Sequence, residues 1–103
     1  MKLMMKAAAA AALTVLAAAA WLKLAEARSL AGNAARAVEA ASRACALAPR
    51  EAPAHNNLGV ALEKMGDTEG AIEAFTRAIA LRQDYAEAWG NRGWAFAELK
   101  RWR

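Results

Sequence analysis

The sequence predicts an all-α protein, an α-solenoid of antiparallel helix pairs, on three observations. First, one segment is written twice at an offset of 34 residues. Ala37-Val38-Glu39-Ala40, Arg43-Ala44 and Ala46-Leu47 return as Ala71-Ile72-Glu73-Ala74, Arg77-Ala78 and Ala80-Leu81. Gly32 with Gly66, Leu24 with Leu58, Asn57 with Asn91 and Gly59 with Gly93 keep the same offset. A fixed period of this size marks a stacked array, in which no unit buries its apolar face alone. Second, apolar residues recur at three and four positions: Leu58, Ala61, Leu62 and Met65, then Ala71, Ile72, Phe75, Ala78 and Ile79. Third, two prolines and six glycines in 103 residues are too few for a β fold rich in turns.

The chain begins with a basic stretch, Lys2 and Lys6, followed by an uncharged run from Ala7 to Leu22 that is mostly alanine. Residues 1–20 read as a signal peptide or an N-terminal hydrophobic helix. A basic start, an apolar middle and small residues after it fit export, with cleavage after Ala20 or after Ala27. A membrane tether is the second reading, although the run is shorter than the roughly 20 residues of a spanning helix. A helix stacked on the array is the third, since alanine is the best helix former. The repeat register favours the cut after Ala20, which leaves Trp21 to Ala31 whole as a first helix. The localisation expected from this segment is exported or membrane-tethered, with cytoplasmic as the alternative.

From there the repeats follow. Gly66-Asp67 interrupts the first apolar stripe and Thr68 starts the second, which gives a helix, a tight turn and a second antiparallel helix. Gly59 lies inside the first helix, where it costs up to about 1 kcal/mol relative to alanine. Close approach of the partner helix is the natural offset, and Ala71 and Ala78 supply small contacts from the other side.

These residues resemble the tetratricopeptide repeat, with its pattern W-x-x-L-G-x-x-Y, then A-x-x-x-F, then P. His55-x-x-Leu58-Gly59-x-x-Leu62, Ala71-x-x-x-Phe75 and Gln83 make the best copy. Trp21-x-x-Leu24-Ala25-x-x-Arg28, Ala37-x-x-x-Ala41 and Pro49 make a degenerate one, and Trp89-x-x-Arg92-Gly93-x-x-Phe96 starts a third. The resemblance implies about two and a half repeats: 18–51 (degenerate repeat 1), 52–85 (repeat 2) and 86–103 (first helix of repeat 3). Arg28 and Ala41 stand where large apolar residues are usual, so the first unit is expected to pack loosely, as a cap. Trp94, Phe96, Leu99 and Trp102 put apolar groups on more than one face of the last helix, which suggests self-association through the Trp102 face or continuation into a larger protein.

By the same resemblance, first helices line a concave groove that takes peptides or helices. The residues implied to bind a partner there are Asn56, Asn57, Val60, Lys64, Asn91, Trp94 and Glu98, with Lys23, Glu26, Glu63 and Glu87 beside them. Amides suit a peptide backbone, and an exposed Trp is a typical binding anchor. One subfamily clamps C-terminal carboxylates with Lys, Asn and Arg. Here its cationic positions hold Leu22, Glu87 and Asn91, and only Asn57 matches, so a mixed-charge or apolar ligand is expected instead.

Composition excludes most other functions. The net charge of +4 comes entirely from residues 1–49, which carry six basic and two acidic groups, while residues 50–103 balance. Both signs are mixed along the repeats, so no nucleic-acid surface is expected. Cys45 is the single cysteine and aligns with Ile79, an apolar position, so it reads as a buried, inert thiol. One Cys and one His do not assemble a metal site, and no cofactor motif is present. His55 fills a packing position, and no nucleophile stands beside a base, so the chain is expected not to be an enzyme. The function expected is a non-catalytic scaffold or adaptor for a protein or peptide. The alternative is a fragment or leading segment of a larger repeat protein whose activity lies outside this chain.

Overall fold

The computed structural model describes residues 2–101. Five helices follow one another: α1 (Lys2–Leu30), α2 (Ala34–Leu47), α3 (Ala52–Lys64), α4 (Thr68–Leu81) and α5 (Ala86–Arg101). Sequential helices pack on one another, and α3 also touches α1 and α5. The first helices α1, α3 and α5 therefore form one layer, and the second helices α2 and α4 the other. Principal extents of 58 × 29 × 17 Å describe an elongated molecule.

The turns repeat as strictly as the sequence does. At the end of α3 the Asp67 amide donates to the Leu62 carbonyl (2.9 Å) and the Gly66 amide to Glu63 (2.9 Å). At the end of α1 the Asn33 amide donates to Arg28 (2.9 Å) and Gly32 to Ser29 (3.1 Å). This closure needs a residue with positive φ, and Gly32 (80°) and Gly66 (88°) supply it. The next residue caps the following helix. Asn33 Oδ1 accepts from the Arg36 amide (3.3 Å) and Asp67 Oδ1 from the Gly70 amide (3.0 Å).

Alanine builds the interior. Ala37, Ala40, Ala41 and Ala44 line the buried stripe of α2, and Ala71, Ala74, Phe75, Ala78 and Ile79 that of α4. Gly59 is buried against Phe75: a Cβ there would sit 2.6 Å from Cδ1 of the ring. One period earlier the same two positions hold Ala25 and Ala41, both buried, in a cluster with Ala40, Trp21 and Leu58. The expectation that the first unit packs loosely is corrected by this exchange. A Gly–Phe pair becomes an Ala–Ala pair, and Ala41 is wholly buried. Arg28, in the other unusual position, donates from Nη1 to the Arg36 carbonyl (3.1 Å) and so ties α1 to α2.

His55 is explained the same way. Its Nε2 lies 2.8 Å from the Pro49 carbonyl, and Trp89 Nε1, one period on, donates to the Gln83 carbonyl at 2.8 Å. Both rings keep an N–H on the carbonyl that precedes their helix, so histidine substitutes for tryptophan without losing the bond.

α1 is continuous across Ala20. From Met4 to Leu16 every side chain is exposed, whereas Ala18 and Ala25 are buried against the repeats. Ala17 and Ala18 are the first residues of α1 that the repeats cover. By length and composition Met4–Leu30 is long and apolar enough to cross a membrane. Trp102 lies outside the described residues, so the suggested self-association face is not described either.

Candidate functional site

The layer of first helices encloses a cleft of about 300 Å³. α1 contributes Ala25, Glu26, Ser29 and Leu30; α3 contributes Asn57, Val60 and Lys64; α5 contributes Glu87. Helical spacing explains the set, because residues three and four apart lie on one face. Asn57 Nδ2 donates to Glu26 Oε1 at 3.0 Å, and Lys64 Nζ donates to Ser29 Oγ at 2.7 Å. These two bonds fasten α3 to α1 along the cleft, which leaves the Lys64 ammonium engaged.

The residues implied by the groove do not all gather here. Asn57, Val60 and Lys64 line the cleft. Asn56 is wholly buried and presents no surface: its Oδ1 accepts from Asn91 Nδ2 at 3.1 Å. Asn56 and Asn91 therefore join repeats 2 and 3. Trp94 stands 62% exposed on α5. Glu98 lines a second hollow, of about 700 Å³, with Glu63, Asp67 and Glu69. Burial, then the neighbouring Glu98, raise the Glu63 carboxyl above its usual range, while Lys64 and the Trp94 indole pull it back. Ala25, Ser29 and Leu30 line the cleft without having been expected there. For the last two the signal was present, since Ser29 and Leu30 are the counterparts of Glu63 and Lys64 one period earlier.

Tyr85, just before α5, is half-buried. Burial raises its phenol first and Glu87 adds to that, with Glu26 contributing in the same direction, against Arg82 and the Asn56 amide. No group of three or more His, Cys, Asp and Glu able to hold a metal occurs among the described residues. On α5, Arg92 stacks over Trp89 (4.6 Å) and lies 5.9 Å from the Phe96 ring, with an Nη1 bond to Thr76 Oγ1 at 3.4 Å.

Helix pairs in two layers, with a cleft formed by the first helix of each pair, define the α-solenoid class of helical repeat proteins. Residues 52–85 match the sequence profile of the tetratricopeptide repeat, and the fold is a helical solenoid like those of tetratricopeptide-repeat proteins. The structure is similar to "Second TPR of Spaghetti (RPAP3) bound to HSP90 peptide SRMEEVD", with 26% identity and a TM-score of 0.80 over 84% of this chain and 81% of that one. It is also similar to a crystal structure of MamA, with 28% identity and a TM-score of 0.78 over 84% of this chain and 50% of that one. A second MamA structure gives 29% identity and a TM-score of 0.74 over 81% of this chain and 45% of the other. The chain thus spans about half the length of the MamA chains. No curated protein sequence matches it. Tetratricopeptide-repeat proteins are generally non-catalytic interaction modules, and that is the class of function the family supports here.

Proposed function

We propose that the chain is a non-catalytic adaptor that holds a protein segment, an extended peptide or a helix, in the cleft between α1, α3 and α5. The observation that carries this is the cleft itself, open to solvent and lined by both apolar and hydrogen-bonding side chains from three helices. A similar array bound to a peptide supports it. Trp94, large and exposed about two turns along α5 from Glu87, extends the surface as an apolar anchor. The test is a peptide selected against the immobilised chain and titrated into Asn57→Ala/Trp94→Ala. A loss of at least tenfold in affinity is expected, and unchanged binding would move the site out of the cleft.

The exposed apolar first half of α1 supports attachment of this adaptor to a membrane, or its export. Intact mass and membrane fractionation distinguish a retained anchor from a removed leader. A second reading, a leading segment of a larger tetratricopeptide-repeat protein, is favoured by the half-exposed Trp89 and Phe96 on α5; the reading frame beyond Arg103 tests it.

A further inference from the structure

Two carboxylates and one ammonium are among the groups that line the cleft. Glu26 on α1 and Glu87 on α5 both line it, with Asn57 of α3 between them in the layer. Glu26 has one oxygen engaged by Asn57, and Glu87 makes no ion pair among the described residues. The cation that lines the cleft with them, Lys64, donates to Ser29 Oγ and to the Ser29 carbonyl (3.4 Å). Both glutamates add to the effect of burial in raising the Tyr85 phenol, so both carboxylates lie near that residue. A similar array binds a peptide with two glutamates and a terminal aspartate, and a ligand of that charge would meet like charge here. Like charges brought together at an interface oppose binding, and opposite charges set its selectivity.

We infer that the cleft selects a peptide carrying a lysine or arginine side chain, seated between Glu26 and Glu87, and rejects acidic C-terminal peptides. This rests on the groove reading above and adds the chemistry of the ligand. The apolar floor of Ala25 and Val60 fits the methylene stem of such a side chain, and the two carboxylates fit its cationic head. The Asn57 amide positions Glu26 for this from the neighbouring repeat.

The experiment titrates the folded chain with three synthetic peptides that differ only at one central residue: lysine, norleucine or glutamate. SRMEEVD serves as a fourth ligand. The lysine peptide should bind best, and its advantage over norleucine should shrink at high salt, where partly exposed charges are screened. Glu26→Gln and Glu87→Gln should each cut lysine-peptide affinity by up to about fivefold and leave norleucine binding unchanged, the range of a partly exposed ion pair. Gln at position 26 keeps an acceptor for Asn57, and circular dichroism checks that both variants fold. Equal or tighter binding of the norleucine or acidic peptides, or no effect of either substitution, overturns the charge selectivity while leaving the groove in place. If none of the four peptides binds, the groove reading falls and the selectivity with it.

Discussion

Gly59 and Phe75 show how far one atom matters in an interior made largely of alanine. Alanine at position 59 would gain about 1 kcal/mol of helix propensity. It would also force a Cβ into the Phe75 ring, and such overpacking costs about 1–3 kcal/mol. The clash wins, so Gly59→Ala should lower the melting temperature, and Gly59→Ala/Phe75→Ala should not simply add the two losses. Calorimetry of the two singles and the double reads this directly. Cys45 makes the second residue-scale prediction. Burial, against a smaller opposing pull from Arg77, pushes its thiol up from 9.0 to about 11. The folded state therefore keeps this proton between pH 9 and 11, where the unfolded chain has lost it. Its contribution to stability is whole below pH 9 and is lost as pH rises towards 11. Cys45→Ala should flatten that decline in denaturant titrations, though not abolish it, because Tyr85 is raised in the same direction. At pH 8 the native thiol should react with a disulfide reagent far more slowly than the unfolded one.

At the scale of the element, the two turns decide where helices stop. Gly66 has φ of 88°, a conformation that costs an L-residue about 1–2 kcal/mol. Gly66→Ala should destabilise the protein by about that much, and Gly66→Asn by less, as asparagine tolerates this region better. Chemical denaturation of the two variants compares them; equal effects would mean that the turn relaxes. The turns were legible beforehand, because glycine followed by asparagine or aspartate before an apolar run is a stop and a start in one signal. The length of α1 was not. An alanine run carries no capping residue or glycine near Ala20, so nothing in it marks where the packed part begins.

For the whole molecule, the division of α1 is the feature with consequences. Residues up to Leu16 are exposed, but Val15 joins Ala18, Ala19 and Leu22 around a small apolar hollow against Ala48 and Pro53. Deleting residues 2–14 should leave the melting temperature nearly unchanged, and deleting 2–20 should lower it. Equal stability of the two truncations would show that the residues before Trp21 add nothing to the packing of the first repeat. The same packing bears on the groove, since Glu26, Ser29 and Leu30 reach the cleft only if the second half of α1 stays docked on α2 and α3.

The sequence by itself determined the helical pairs, their period, their turns and the layer of first helices. Each follows from local spacing and from glycine at positions with positive φ. Tertiary structure alone decided which polar groups on that layer remain available to a ligand. Asn56 and Asn57 are adjacent in sequence and equally polar. Yet Asn56 turns into the junction with Asn91 and is buried, while Asn57 turns to Glu26 and lines the cleft. A helix places neighbours about 100° apart, and only the position of the next helix says which of the two directions faces solvent.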